Sequence, residues 1–138
     1  AALRSQVTDL GIGPNVDFVG AVPNTELPTY YREAALLVFP STGSEGLGLV
    51  CAEALACECP VIAADLPAVQ EVVEQEVSGV LFKRGDADDL AMKLLRLLAD
   101  PALRAKMGSA GRKQVLARYD WEQVASSFAR VLEETLDR

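Results

Sequence analysis

The sequence contains no histidine, and this absence excludes several kinds of chemistry. Catalysis by a Ser-His-Asp or Cys-His arrangement is excluded, because both need an imidazole to activate the nucleophile. Zinc sites with histidine ligands and a histidine general base near neutral pH are excluded for the same reason. Any acid–base or electrostatic role in this chain therefore falls to other side chains.

Cysteine is scarce as well. The three cysteines, Cys51, Cys57 and Cys59, are odd in number and lie within nine positions of one another. Such a set does not favour a disulfide framework, and the spacing of Cys57 and Cys59 is not that of a zinc site. We therefore expect all three to be small, reduced core residues rather than metal ligands.

Positive charge and long apolar runs are also lacking. The chain has 13 Lys and Arg against 20 Asp and Glu, a net charge of −7. This balance argues against a nucleic-acid partner, since neutralising phosphates requires clustered cations. No apolar run approaches the roughly 18–20 residues that cross a bilayer, and no signal peptide is visible. The expected location is cytoplasmic.

What the sequence does contain is an alternation of strand-like and helix-like segments in one domain, residues 1–138. Strand patterns lie at residues 16–20, 36–39, 60–64 and 79–82, and only helix patterns follow. The alternation predicts an α/β fold, a Rossmann-like parallel sheet with helices on both faces and further helices at the C-terminus. Doubly wound nucleotide-binding sheets usually have about five or six strands. We therefore expect the first strands to be missing and the chain to be a piece of a longer protein.

Local signals predict where several helices begin. Asn24 or Thr25 is expected to cap one helix, and Asp86 another. Asp100 is expected to cap a third, with Pro101 at its first helical position. Two glycines inside that third helix are expected to weaken it.

Residues 41–53 are the richest candidate site. They follow a predicted buried strand, contain Gly43, Gly46 and Gly48, and lead into an apolar helix. Glycines let a ligand approach the main chain, and a helix N-terminus offers unpaired N–H groups and about half a positive charge. This combination suits an anion. A glycine turn after a strand also occurs in many other folds, so the pattern alone does not establish a phosphate site.

Two carboxylates bracket the entry to this helix, Glu45 and Glu53, with seven residues between them. A glutamate in a helix is most often simply solvated, but Glu53 lies in a segment that is otherwise apolar from Leu47 to Cys57. A carboxylate in such surroundings needs a polar partner. Glu45 could hydrogen-bond to sugar hydroxyls, and Glu53 could accept from a ribose diol.

A longer series of motifs resembles the retaining glycosyltransferases of family 4, in whose GT-B architecture two Rossmann-like domains face a cleft. The matching segments are Phe18-Val19-Gly20, Glu26-Leu27-Pro28 with Tyr30-Tyr31, Val38-Phe39-Pro40-Ser41, Glu45-Gly46-Leu47-Gly48-Leu49-Val50, Glu53-Ala54-Leu55-Ala56-Cys57, Pro60-Val61-Ile62-Ala63, Glu71-Val72-Val73, Gly79-Val80-Leu81-Phe82 and Asp120-Trp121-Glu122. They cover nearly the whole chain in order. The resemblance implies the C-terminal, donor-binding part of an enzyme that moves a sugar from a nucleoside-diphosphate sugar to an acceptor with retained configuration.

The resemblance also implies a role for each matching position. Glu45 and Glu53 correspond to the family's Glu-x7-Glu motif, in which the first faces the donor sugar near the reacting centre and the second binds the ribose. The other donor-binding positions are Gly46, Leu47 and Gly48 for the sugar hydroxyls, Leu49 and Val50 for the diphosphate, and Gly20 and Val22 near the base. No metal and no other cofactor is implied.

Some positions depart from the family pattern. The family usually has glycine where this chain has Glu58, and often Gly-Gly where it has Leu66-Pro67-Ala68. An arginine and a lysine that hold the diphosphate in the family have no counterpart, and Lys83 and Arg84 are expected to be merely solvated. The acceptor site would lie on a missing N-terminal domain, so the isolated chain is expected to be inactive. The acceptor, and peripheral membrane contact of the full-length enzyme, stay open.

Three alternative functions are compatible with the same residues. A catalytically silent nucleotide-sugar-binding module would keep the pocket without the reaction. A sugar-nucleotide epimerase of GT-B architecture would alter the donor with no acceptor present. A structural interaction domain would bind no nucleotide.

Overall fold

The computed structural model describes residues 2–43 and 48–136. Its centre is a parallel sheet of three strands, β1 (Leu37–Phe39), β2 (Val61–Ala64) and β3 (Gly79–Phe82). The strand order is β1-β2-β3, and the register pairs Val38 with Ile62 and Ile62 with Val80. Three of the four predicted strands are thus confirmed, with bounds that differ by no more than one residue.

Helices precede, connect and follow these strands. They are α1 (Ala2–Asp9), α2 (Leu27–Glu33), α3 (Leu49–Ala56), α4 (Pro67–Gln70), α5 (Ala87–Ala99), α6 (Pro101–Tyr119) and α7 (Trp121–Leu136), with a 3₁₀ turn at Gly13–Asn15. The predicted α/β class and the run of C-terminal helices are confirmed. Helix α4, with four residues, is the shortest of the helices α1 to α7.

The central strand β2 explains why the domain needs helices on both sides of its sheet. Val61, Ile62 and Ala63 are fully buried and Ala64 is 1% exposed. Successive side chains of a strand point to opposite faces, so complete burial means that both faces of β2 are covered. This agrees with the continuous apolar run that is typical of buried parallel strands.

Two helix caps lie where the sequence predicts them, and a third does not. The Asp86 carboxylate accepts from the Asp89 N–H at 3.0 Å, and the Asp100 carboxylate accepts from the Leu103 N–H at 2.9 Å. The expectation that Asn24 or Thr25 caps α2 is wrong, since its N-cap residue is Glu26 and makes no side-chain capping bond. Pro28 in the first turn needs no N–H partner, which reduces the need for a cap.

The predicted strand at residues 16–20 is wrong. Val16 has extended backbone angles, φ −129° and ψ 117°, but the segment belongs to no strand of the described sheet. Phe18 and Val19 are 37% and 56% exposed. A strand requires a neighbour to pair with as well as a suitable sequence, and no described strand lies alongside this one.

Helix α6 packs tightly against the end of α3 at two glycines. A Cβ on Gly108 would lie 2.1 Å from the Glu58 carbonyl oxygen, and one on Gly111 would lie 2.5 Å from Leu55 Cδ2. These glycines therefore permit close helix packing, a role that their effect on helix propensity did not reveal. Glu58 itself has φ +62°, a backbone conformation that favours glycine.

Replacing Gly108 with alanine is expected to lower the free energy of unfolding by about 1–3 kcal/mol, as overpacking does. At an ordinary exposed helix position the same change would stabilise the protein by about 1 kcal/mol, so the sign of the effect is diagnostic. Chemical denaturation would measure it, with the exposed Lys106→Ala on the same helix as the control. Equal stability of Gly108→Ala and the unsubstituted chain would contradict the packing role.

Candidate functional site

Helix α3 begins directly after Gly48. Gly48 is the N-cap residue, with φ +63° and ψ 38°, and as a glycine it offers no side chain to cap the first turn. The N–H groups of Cys51 and Ala52 donate to the Gly48 carbonyl, and Leu49 and Val50, which open α3, are 62% and 39% exposed. A helix N-terminus of this kind suits an anionic group. Glu45, Gly46 and Leu47 lie outside the described residues, so their predicted roles stay predictions.

Glu53 lies on a cavity between α2 and α3. The cavity has a volume of about 320 Å³ and is lined by Asn24, Leu27, Pro28, Tyr31, Glu53, Ala56 and Cys57. Glu53 belongs to the exposed side of α3, whose buried residues are Cys51, Ala54 and Leu55. The buried setting that the apolar sequence around Glu53 suggested is thus wrong.

The polar partner that Glu53 was expected to need is nevertheless present. The Tyr31 hydroxyl donates a hydrogen bond of 3.0 Å to Glu53 Oε2. Tyr31 is only 8% exposed. Burial raises the pKa of its phenol to about 12, and the hydrogen bond and negative charge of Glu53 add to that shift. The phenol therefore stays protonated near neutral pH and acts as the donor in this pair.

Subtracting the absorbance titration of Tyr31→Phe from that of the unsubstituted chain isolates the ionisation of Tyr31. Its midpoint is expected at about pH 12 rather than at the ordinary tyrosine pKa of 10.0. The folded state holds this proton more tightly than the unfolded state. The corresponding stabilisation is therefore complete below pH 10 and is lost as the pH rises toward 12. A difference curve centred near the ordinary tyrosine value would contradict the burial and hydrogen bonding of this phenol.

The predicted base-binding positions stand at the entrance to α2. Gly20 has φ +78°, a conformation that favours glycine, and Val22 is half-buried. Neither lines the α2–α3 cavity, whereas Asn24, a little further along the same loop, does. Asn24 is a residue that the sequence assigned to helix capping instead.

A second cavity lies at the carboxyl ends of the three strands. Its volume is about 570 Å³, and its lining residues are Thr42, Gly43, Leu66, Pro67, Ala68, Glu71 and Arg84. A Cβ on Gly48 would lie 3.8 Å from the Ala68 carbonyl oxygen, so this cavity adjoins the N-terminus of α3. Open parallel sheets bind ligands at this edge.

The adjacent basic residues Lys83 and Arg84 occupy different environments. Lys83 is paired with Asp86 at 3.7 Å, and its side chain is 80% exposed, as expected of a solvated cation. Arg84 lines the second cavity, which it shares with Glu71. Sequence reasoning gave neither cavity residue a role, although the position of Arg84 two residues after the end of β3 was a signal for it.

The cysteines are structural for the most part. None of the three forms a disulfide, and Cys51 and Cys59 are buried as predicted. Burial raises the pKa of the Cys59 thiol to about 11, so it is protonated at neutral pH. Cys57 is only half-buried and lines the α2–α3 cavity.

Within residues 2–43 and 48–136, no three or more cysteine, aspartate or glutamate side chains are grouped so that they could hold a metal ion. None of the helices in that part of the chain combines the length and apolar character needed to cross a membrane.

Solved structures define the class to which this fold belongs. The chain aligns with the sucrose-phosphate synthase of Thermosynechococcus elongatus at a TM-score of 0.89 and 36% identity, covering 98% of this chain and 34% of that one. It aligns with Anabaena Alr3699/HepE, solved in complex with UDP, at a TM-score of 0.90 and 28% identity, covering 96% and 36% of the two chains. The fold is the Rossmann-like domain of the GT-B glycosyltransferases.

The sequence matches the family Glycosyl transferases group 1 over residues 1–114, and the chain belongs to that family. It is 37% identical to a phosphatidyl-myo-inositol mannosyltransferase of Mycobacterium leprae, over 95% of this chain and 34% of that protein. It is 38% identical to a D-inositol 3-phosphate glycosyltransferase of Thermobispora bispora, over 99% and 31%. The chain thus spans about a third of the length of these relatives, and its resemblance to glycosyltransferases is confirmed.

Proposed function

We propose that this chain is the donor-binding part of a retaining glycosyltransferase that transfers a sugar from a nucleoside-diphosphate sugar. The observation that carries the proposal is the placement of Glu53 on the cavity between α2 and α3, one turn along the helix that begins with the exposed residues Leu49 and Val50. A nucleotide sugar needs a hydrogen-bond acceptor for its ribose and an electropositive place for its diphosphate. Glu53, about one turn into α3, supplies the acceptor, and the N-terminus of α3 supplies the electropositive place.

In this arrangement the ribose occupies the cavity between α2 and α3, and its hydroxyls donate to Glu53. The diphosphate meets the N–H groups of Leu49 and Val50, where the helix dipole adds about half a positive charge. Asn24 is placed to contact the base from the other wall of the cavity. The UDP bound by the Anabaena protein, to which this chain is similar, supports a ligand of this class.

The reaction proposed for the site breaks the bond between the anomeric carbon and the diphosphate. A new bond from an acceptor oxygen forms on the same face of the sugar, so that the configuration is retained. Negative charge develops on the leaving diphosphate, and the N-terminus of α3 is aimed at it, which favours the transition state over the intact donor. Glu45 is proposed to act at the sugar, near the reacting centre.

The donor site of this chain is proposed to be incomplete on its own. The resemblance implies that an arginine and a lysine hold the diphosphate and that a second domain supplies the acceptor cleft, and we propose that this site needs the same groups. A chain that spans about a third of its relatives would obtain these groups from the rest of a GT-B enzyme. The isolated chain is accordingly proposed to bind nucleotide weakly and to transfer no sugar.

Glu53→Gln is expected to weaken the binding of UDP or GDP about 10- to 100-fold, because a hydrogen bond to a charged group contributes about 1.5–3 kcal/mol. Isothermal calorimetry on the protein that contains this chain would measure the change. Glu122→Gln, an exposed glutamate on α7, is the matched control and should bind like the unsubstituted protein. Unchanged affinity of Glu53→Gln would exclude its role at the ribose.

Glu45→Gln is expected to lower kcat about 100- to 1,000-fold, the usual effect of removing a group that acts on transition-state charge. The affinity for the nucleotide should change little, because the proposal places Glu45 at the sugar. Transfer assays with UDP- and GDP-sugars in the full-length protein would measure both quantities.

Two outcomes of that assay would favour the alternatives. Donor binding without sugar transfer, in both the unsubstituted protein and Glu45→Gln, would identify a silent binding module. Release of an epimerised donor in the absence of acceptor would identify an epimerase.

A further inference from the structure

The two tyrosines of α2 occupy different environments although they are adjacent. Tyr31 is 8% exposed, lines the α2–α3 cavity and bonds to Glu53, whereas Tyr30 is 45% exposed and does not line that cavity. Among the described residues, no side chain other than Tyr31 hydrogen-bonds to the Glu53 carboxylate. The cavity therefore contains a carboxylate that is held by one buried phenol and is otherwise available.

We propose that Tyr31 is a positioning residue, which holds the Glu53 carboxylate in place for a ribose diol and makes the site select ribonucleotides over 2′-deoxyribonucleotides. This rests on the proposed function, in which Glu53 binds the ribose. Tyr31 acts through Glu53 and does not itself take part in the reaction.

The hydrogen-bonding capacity of the pair leaves room for both hydroxyls of a diol. An ionised carboxylate has two oxygens and about four acceptor positions. Tyr31 has one proton to give, and it gives this proton to Oε2 at 3.0 Å. All of Oε1 and the second position of Oε2 remain for the 2′- and 3′-hydroxyls.

Holding the carboxylate also reduces the side-chain entropy that is lost when the nucleotide binds. A glutamate on an exposed helix face samples several rotamers, and immobilising it has an entropic cost equivalent to about tenfold in affinity. Tyr31 is fixed by its burial, so its bond orders Glu53 before the ligand arrives. Preorganisation of this kind strengthens binding without a new contact to the ligand.

Selection for ribose follows from the same constraint. With a 2′-deoxyribose, a fixed carboxylate keeps an acceptor facing the position of the missing hydroxyl and loses that bond within the cavity. A mobile glutamate would instead turn toward water and lose less. The bond to Tyr31 therefore increases the difference in affinity between the two sugars.

The test is a double-mutant cycle with Tyr31→Phe, Glu53→Gln and the double variant, in the protein that contains this chain. Calorimetry would compare UDP with 2′-deoxy-UDP and GDP with 2′-deoxy-GDP, and Tyr30→Phe is the control. Tyr31→Phe is expected to weaken ribonucleotide binding about 3- to 10-fold and deoxyribonucleotide binding much less. The double variant should bind like Glu53→Gln alone, because Tyr31 then has no carboxylate to position.

Glu53→Asp is a second test variant, and it leaves the buried Tyr31 unchanged. It keeps the charge but shortens the side chain by one methylene, which takes the carboxylate away from Tyr31. It should reduce the preference for ribose as Tyr31→Phe does. Thermal unfolding of every variant would show that each one is folded, and kcat at saturating donor should be unchanged in Tyr31→Phe while KM rises.

The outcomes separate the two proposals. Suppose that Glu53→Gln weakens nucleotide binding, but that Tyr31→Phe leaves the ribose preference unchanged or the two losses of affinity are additive in the cycle. That result would overturn the role of Tyr31 and leave the ribose site in place. Equal weakening of ribo- and deoxyribonucleotides by Tyr31→Phe would show that Tyr31 only supports packing. Unchanged binding in Glu53→Gln would overturn the ribose site itself, and the role of Tyr31 with it.

Discussion

The complete burial of β2 is the constraint on which the rest of this domain depends. A strand with apolar side chains on both faces needs a neighbour on each edge and a layer of helices on each side. Because β1 and β3 run parallel to it, the loops that follow all three strands leave from one edge of the sheet. The second cavity lies there. The position of a binding edge is thus a consequence of how the core is filled.

Helix α3 connects that core to the candidate site. Cys51, Ala54 and Leu55 are buried, and close packing of α6 at Gly108 and Gly111 holds this side of the helix in place. The other side carries Glu53. A short helix fixed by its buried side is a rigid support for a carboxylate, which is what recognition of a small polar group requires.

Two of the three helix caps predicted from local sequence signals are confirmed. Asp86 and Asp100 cap their helices because a capping bond joins residues three positions apart, so the whole interaction lies within one short segment. The segment at residues 16–20 shows the opposite case, since a strand depends on a partner from elsewhere in the chain.

The α/β class, three strands with their bounds, and the pairing of a glycine-rich helix start with Glu53 could all be predicted from the amino-acid sequence. These follow from periodicity and from contacts between near neighbours. The three-dimensional packing was needed to show that Tyr31 meets Glu53 across 22 positions, that Arg84 lines a cavity while Lys83 does not, and that Gly108 permits close packing. Such contacts depend on how separate elements of the fold pack against one another. The sequence of each element alone does not specify that packing.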